Sequence, residues 1–404
     1  MKNGWQTQKL GDLLDVQNGY AFSSKDYSAS GHFVIRIGNV QNGNVSLNDP
    51  KYIKLPADGG LQRFVLSEGD ILVSLTGNVG RVGVIQKEHL PAALNQRVAR
   101  LTIRKGSPAS REFLLFFLYS DSFREELTGA GHGAAQQNVS TKDLVEIELP
   151  IPPLAEQRRI VGILDEAFEG LATAKANAEQ NLQNARALFE SHLQAVFTQR
   201  GHGWVEKTLG EEIDLLAGFA FKSAQYTNCD QDVRLLRGDN IIQGCLRWDD
   251  VKKWPANDAE AYKSYQLREG DVVLAMDRPW VKAGLKHSTI TADDLPCLLV
   301  QRTARLRGSA KLNNRFLMYL IGSAAFTRHI LGVQTGIGVP HISGQQIKDF
   351  EFALPPLAEQ RRIADNLETL REETQRLESL YQRKLAALDE LKKSLLHRAF
   401  SGQL

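Results

Sequence analysis

The chain has 404 residues, more than one hydrophobic core usually supports, so two or more domains are expected. With 42% hydrophobic and 24% charged residues it has an ordinary globular composition, and a formal net charge of +2 leaves any nucleic-acid surface to local clusters rather than to an overall field. The three cysteines, Cys229, Cys245 and Cys297, form no CxxC pair, the N-terminal MKNGWQTQKLGDLL has no apolar h-region, and no apolar stretch approaches membrane-spanning length. These features point away from disulfides, zinc and membranes, and towards a soluble, reduced, cytoplasmic protein.

From the N-terminus, HFVIRIGNV, RFVLSEGDILVSL, RVGVIQ and NQRVARLTI are short apolar segments punctuated by glycine. They predict β-strands with turns at Gly69–Asp70 and Gly77–Asn78, and REFLLFFLYSDSFREEL at 111–127 predicts a helix. Residues 1–150 therefore read as a compact, strand-rich α/β domain. Gly77, Gly80 and Gly83 resemble a phosphate-cradling loop, but no GK[ST] follows and the G-x-G-x-x-G spacing is absent, which favours a glycine-rich β-turn. That loop carries Thr76, Asn78 and Arg81, whose side chains suit base edges or phosphates. Asn95, Gln96 and Arg97 form a second polar cluster. Gln96 and Arg97 recur as Gln301 and Arg302, so fixing strand ends competes with ligand contact as their role. Gln136, Gln137 and Asn138 are not repeated (Gly336, Ile337 and Gly338 stand there), so they are either the segment that reads a specific target or a solvated loop.

Residues 152–160 read PPLAEQRRI, and residues 355–363 read the same. The prolines suit the start of a helix, Glu156 and Glu359 meet the positive end of its dipole, and Arg159 and Arg362 lie within reach of those carboxylates. From Ile160 a 4/3 alternation runs through Leu164, Ala167, Leu171, Ala174, Ala178, Asn181, Ala185, Leu188, His192 and Ala195, a coiled-coil period with mostly small side chains. Glycines 201 and 203 should end this helix, which at about 1.5 Å per residue is roughly 60–70 Å long.

The second half repeats the first. KLGDLLDVQNGYAFSS (9–24) aligns with TLGEEIDLLAGFAFKS (208–223), IRIGNVQNG (35–43) with LRGDNIIQG (236–244), LSEGDILVSL (66–75) with LREGDVVLAM (267–276), and LNQRVARL (94–101) with LVQRTARL (299–306). The loops diverge: TGNVGRVG becomes MDRPWVKAGL, with Arg278, Trp280 and Lys282, Val300 stands in place of Asn95, and GIGVPHIS brings His341. The second helix has a bulkier seam, from Ile363, Leu367, Leu370, Thr374, Leu377 and Tyr381 to Lys384, Leu388, Leu391 and Leu395. A bulky seam against a small one predicts that the two helices pack on each other, and antiparallel pairing would give a pseudo-twofold dumbbell.

The duplicated LPIPPLAEQRRI/LPPLAEQRRI, with the paired GYAFSS/GFAFKS and EGDIL/EGDVV segments, resembles the specificity subunit of type I restriction–modification systems over the whole chain. The resemblance implies two homologous target recognition domains, at 1–150 and 202–352, separated by conserved helical spacers at 151–201 and 353–404. Each recognition domain would read one half of a split double-stranded DNA target. The candidate DNA contacts, taken from the polar loops, are Thr76, Asn78, Arg81, Arg97, Gln136, Gln137 and Asn138 in the first domain and Arg278, Lys282, Arg302 and His341 in the second. The implied partners are two methyltransferase (modification) subunits and the restriction/translocase subunits. The motif residues Glu156, Gln157, Arg158 and Arg159, with Glu359, Gln360, Arg361 and Arg362, are the expected partner-binding positions.

The family's specificity subunit contributes no catalytic residue, and S-adenosylmethionine, ATP and Mg are expected on its partners. The residues agree: the chain has no NPPY- or DPPY-type tetrad, Walker motif, glycine-rich cofactor loop after a strand, or PD…ExK pattern. A stand-alone methyltransferase or nuclease, and a coiled-coil adaptor without DNA contact, are the competing readings.

Overall fold

The computed structural model describes residues 4–56, 59–130, 138–199, 201–336 and 338–404, so Gln136 and Gln137 lie outside the described residues. The chain divides into two compact units, Met1–Glu179 with Arg383–Leu404, and Gln180–Gln382. Each unit takes one strand-rich region together with a stretch of each long helix.

In the first unit an antiparallel sheet orders Val82–Val84, Ile71–Ser74, Val98–Ile103 and Leu14–Asn18. A second sheet holds His32–Ile35 parallel to Ala92–Leu94. The second unit repeats the plan with Ile213–Ala217, Thr303–Gly308, Val272–Ala275 and His287–Thr289 in one sheet, and Val233–Leu236 parallel to Cys297–Leu299 in the other. A two-stranded tie closes each unit beside the long helix: Gln6–Lys9 with Glu148–Ile151, and Val205–Thr208 with Glu351–Leu354.

The repeated motifs have local causes. In the EGD turns Asp70 and Asp271 accept from the N–H of Ser67 and Arg268, at 2.9 and 2.8 Å, while Gly69 and Gly270 take positive φ. Gly19 and Gly218 of the GYAF and GFAF segments cross so close to a neighbouring strand that a Cβ would lie 2.0 Å from the Asn95 carbonyl oxygen, or 2.1 Å from that of Val300. Only glycine fits there.

The single helix expected at 111–127 is two helices, Arg111–Leu118 and Asp121–Gly129. Ser120 starts the second by accepting from the Phe123 N–H at 3.2 Å, a serine N-cap that the apolar run conceals. Its counterpart breaks in the same way at Ser323. Among the described residues no single helix is long and apolar enough to cross a membrane.

The long helices are Leu154–Thr198 and Leu357–Phe400. In the first unit Ile160 and Leu164 are buried with Leu396, Ala399 and Phe400, whose ring packs on Phe113 and Phe117 at 5.2 and 5.4 Å. Lys175 pairs with Asp389 at 2.9 Å, and Arg159 donates to the Leu404 carbonyl at 2.8 Å. In the second unit Leu193 shares a core with Ile363, Ala364 and Leu367, and Arg186 pairs with Glu378 at 2.9 Å.

The heptad register needs correction beyond Ala178. Asn181, Leu188 and His192 are exposed, and the covered positions are Leu182, Ala185, Phe189, Leu193 and Val196. In the second helix Leu385 replaces Lys384 on the covered side, and Leu391 is 48% exposed. A helix near 3.6 residues per turn drifts off a strict 3.5-residue stripe by about 20° per heptad, which moves the covered line by one residue.

The duplicated PPLAEQRRI owes its glutamine to this packing. Gln157 is fully buried: its Nε2 donates to the carbonyls of Pro108 and Pro152 at 2.8 Å each, and its Oε1 accepts from the Ser110 N–H at 2.7 Å. Gln360 does the same in the second unit with Lys311, Pro355 and Asn313, all at 2.8 Å. The expectation that Gln157 and Gln360 bind a partner is therefore corrected, since both amides are consumed inside the chain. Substituting leucine at Gln157 leaves buried backbone groups without partners and is expected to destabilise the first unit by about 3 kcal/mol. Gln360→Leu should cost the second unit a similar amount, additively in the double variant. Urea denaturation followed by hydrogen exchange measures both, and a loss under about 0.5 kcal/mol would show that the clasp is dispensable.

Candidate nucleic-acid interface

At one end of each four-stranded sheet three chain segments meet. In the first unit Leu75, just past strand Ile71–Ser74, donates its N–H to the Arg97 carbonyl at 2.8 Å and accepts from the Val139 N–H at 2.9 Å. In the second unit Met276 donates to Arg302 at 2.8 Å and accepts from Ile342 at 2.9 Å. Arg97 and Arg302 take φ of +70° and +66°, so tight turns hold their carbonyls for these bonds. Gln96 and Gln301 donate their N–H to the Tyr20 and Phe219 carbonyls at 2.8 and 2.7 Å. The QR pair thus acts as scaffold through its backbone, while all four side chains stay exposed.

This framework brings several of the expected residues together. In the first unit Asn138 bridges to Thr76, and Asn78 is exposed on the adjacent turn. Ser74 holds that turn rigid by donating its hydroxyl to the Asn78 carbonyl at 2.5 Å and accepting from the Arg81 N–H at 3.0 Å. Gly77 and Gly80 have φ of +73° and +77°, consistent with a β-turn. Thr76 itself is only 6% exposed, so the expectation that its side chain contacts DNA is corrected: it serves as a strand-end bridge. Arg81 is half-buried behind the turn, with Nη1 donating to Gln41 Oε1 at 3.2 Å.

In the second unit the matching bridge joins Asp277 to His341, so His341 occupies the place of Asn138. Asp277 also pairs with Arg302 at 2.5 Å, and the Arg278 N–H donates to the Pro340 carbonyl at 2.7 Å. Arg278, Arg302 and His341 therefore share one exposed edge. Lys282 lies apart, at the tip of a hairpin formed by Trp280–Val281 and Gly284–Leu285 and braced by Gln243, whose Nε2 donates to the Gly284 carbonyl at 3.2 Å. Lys286 at the hairpin base escaped the sequence reading. Burial first, then the nearby Arg247 and Arg278, lower its ammonium pKa from the usual range, against the pull of Asp239. Only its place in the divergent loop could have pointed to it.

A family model described as type I restriction modification DNA specificity domain matches residues 2–183 and again residues 202–384. The chain belongs to this family. It is 24% identical over 417 residues to the type I restriction enzyme MjaVIII specificity subunit of Methanocaldococcus jannaschii, covering 99% of this chain and 93% of that one. It is 38% identical over 169 residues to the EcoAI specificity subunit of Escherichia coli, a match covering 42% of this chain and 28% of that protein. Among solved structures, the HsdS subunit from Thermoanaerobacter tengcongensis has a TM-score of 0.60 at 20% identity, covering 100% of this chain and 98% of that one. A chain from work on complex assembly and conformational transition of the type I R-M system reaches 0.78 at 20% identity, covering 100% and 99%. These structural likenesses speak for the fold.

The other expected partner-binding positions of this specificity-family chain are on the surface or half-buried. Glu156 holds Arg159 in a bidentate pair with both contacts at 2.8 Å, a hydrogen bond that raises the arginine's pKa. Arg362 pairs with Glu359 at 3.3 Å. Arg158 and Arg361 are exposed, and among the described residues neither has a carboxylate partner.

Proposed function

We propose that this chain is the non-catalytic DNA-recognition subunit of a type I restriction–modification complex, each unit reading one half of a bipartite double-stranded target. The observation that carries this reading is the edge built twice around Leu75 and Met276. The hydrogen bonds that shape it are kept, whereas the exposed side chains change from Asn78 and Asn138 to Arg278 and His341. Two readers with one frame and different side chains suit two different half-sites, because base identity is read by donor and acceptor placement. Arg97, Arg302 and Lys282 add charge for phosphates, and Gln136 and Gln137 remain proposed contacts of the first reader.

In this reading residues 1–150 and 202–352 are the recognition domains, and 151–201 and 353–404 are helical spacers that pair antiparallel as a coiled coil, giving a pseudo-twofold dumbbell. The Lys175–Asp389 and Arg159–Leu404 contacts in one unit and Arg186–Glu378 in the other support that direction, since rising numbers on one helix meet falling numbers on the other. A rigid spacer fixes the distance between half-sites and raises affinity by linking two weak readers. Glu156, Arg158 and Arg159, with Glu359, Arg361 and Arg362, are the proposed contacts for two methyltransferase subunits. Restriction subunits complete the assembly, S-adenosylmethionine, ATP and Mg belong to the partners, and the complex is cytoplasmic.

Single-molecule sequencing of DNA from cells co-expressing the chain with its methyltransferase subunits tests this directly. A split methylated motif with a fixed spacer should appear only when the chain is present. Asn138→Ala should relax one position in one half-site, and His341→Ala one position in the other, by about 1–3 kcal/mol of discrimination each. If both variants changed the same half, or neither changed any base, the two-reader assignment fails. DNA cut or methylated by the purified chain alone would favour the enzyme reading, and assembly without any motif would favour the adaptor.

Inserting seven residues into each long helix adds about 10 Å and should lengthen the methylated spacer by up to about three base pairs. An unchanged spacer at full activity would show that the helices are not the ruler.

A further inference from the structure

Beside the reading edge of the first unit lies an open cleft of about 550 Å³, lined by Gln17, Asn18, Tyr20, Arg63 and Phe64 among others. It adjoins that edge directly. The Tyr20 carbonyl accepts from the Gln96 N–H at 2.8 Å, next to Arg97, and Asn18 Nδ2 donates to Thr141 Oγ1 at 3.2 Å, on the segment that follows Asn138.

Hydrogen bonds hold two of the cleft's lining residues, Gln17 and Arg63, in place. The Arg100 guanidinium donates to the carbonyls of Val65 and Arg63 at 3.1 and 3.3 Å and to Gln17 Oε1, and Gln17 Nε2 donates to the Arg63 carbonyl at 2.9 Å. These bonds use the backbone of Arg63 and leave its side chain free. The exposed guanidinium lies 4.8 Å over the Phe64 ring, and among the described residues no carboxylate pairs with it. Tyr20 is 41% exposed and leans on Phe22 and Phe64 at 5.1 and 5.4 Å. Its hydroxyl has no hydrogen-bond partner among the described residues.

The second unit has the same backbone here without the chemistry. The strand registers Asn18↔Ala99 and Ala217↔Ala304 align the two copies. Gln17, Asn18, Tyr20 and Arg63 then correspond to Leu216, Ala217, Phe219 and Ser264. Phe219 packs into a cluster with Phe221, Tyr262 and Tyr265, at 5.1, 5.0 and 5.3 Å. These four side chains have lost their charge, amide or phenolic hydroxyl, while the ring contacts of Tyr20 with Phe22 and Phe64 recur as those of Phe219 with Phe221 and Tyr265, with Tyr262 added.

We infer that this cleft is a phosphate seat whose polar side chains have no counterparts at the aligned positions of the second unit: it takes one backbone phosphate of duplex DNA bound at the adjoining edge, with Arg63 supplying the charge and the Tyr20 hydroxyl a hydrogen bond. The inference rests on the DNA-recognition reading above. A phosphate contact fixes register and carries no base information, so its loss weakens binding to all sequences alike and removes about one unit from the salt dependence of affinity.

The test uses the full chain purified with its co-expressed methyltransferase subunits. Affinity for a duplex carrying the methylated motif is measured across salt concentrations, and the motif is read again by sequencing. Arg63→Gln should reduce the slope of log K against log salt by about one and leave the motif unchanged. Arg63→Lys should retain the slope, and Tyr20→Phe, which keeps the ring, should lower affinity with the slope intact. Arg63→Gln binding with the wild-type slope, or altering any base of the motif, overturns the inference. If Arg63→Gln melts at a lower temperature, Tyr20→Phe decides: unchanged affinity overturns the seat. A wild-type complex that binds DNA and methylates a split motif while these variants behave as wild type sinks the cleft alone. A wild-type complex with neither property sinks the recognition reading and the cleft with it.

Discussion

A buried glutamine amide at the start of each long helix is the constraint on which the rest of each unit depends. Gln157 donates twice and accepts once, and its partners are backbone groups at the turn that launches helix Arg111–Leu118 and at the proline before its own helix. Gln360 repeats the pattern against the turn before Asn314–Ile321. Buried amides left without partners are costly, so the geometry is all-or-none: the long helix leaves each unit in one direction or the unit is destabilised. The aromatic packing of Phe400 on Phe113 and Phe117 supplies the apolar half of this joint in the first unit.

From that joint the rest of each unit follows outward. The tie Gln6–Lys9 with Glu148–Ile151, and its counterpart Val205–Thr208 with Glu351–Leu354, fasten the chain on either side of the reader to the base of the helix. The four-stranded sheet then carries three segments to one edge, where Leu75 and Met276 are hubs of backbone hydrogen bonding. Because these hubs use main-chain groups, the side chains around them can change without loss of the frame. Asn138 and His341 occupy the same structural place with different hydrogen-bonding chemistry, which suits a surface whose specificity varies while its scaffold does not.

The two copies have also diverged away from the edge. In one, Tyr20 and Arg63 line an open polar cleft; in the other, Phe219 packs with Tyr262 and Tyr265. The same strand register thus carries either a polar lining or a more aromatic one, according to a few side chains. Backbone hydrogen bonds decide the shape, and side-chain polarity decides what the shape can hold.

Much of this was legible in the sequence. Exact repetition of PPLAEQRRI, together with the GYAF/GFAF and EGD pairs, determined the duplication, the strand-rich readers and the two long helices, because turn glycines, the aspartate of a tight turn and prolines before a helix act over a few residues. Other features depended on distant parts of the chain. The sequence could not show that Gln157 and Gln360 face inward, since their partners lie 47 to 49 residues away, at Pro108 and Ser110, and at Lys311 and Asn313. Nor could a heptad count reveal the drift that exposes Leu188 and His192, because the covered line is set by the packed neighbours and the true helical pitch. The burial of Thr76 and the equivalence of Asn138 with His341 were likewise decided by strand pairing. Local chemistry determined which elements form; tertiary structure decided which of their polar groups are spent inside and which are left for a ligand.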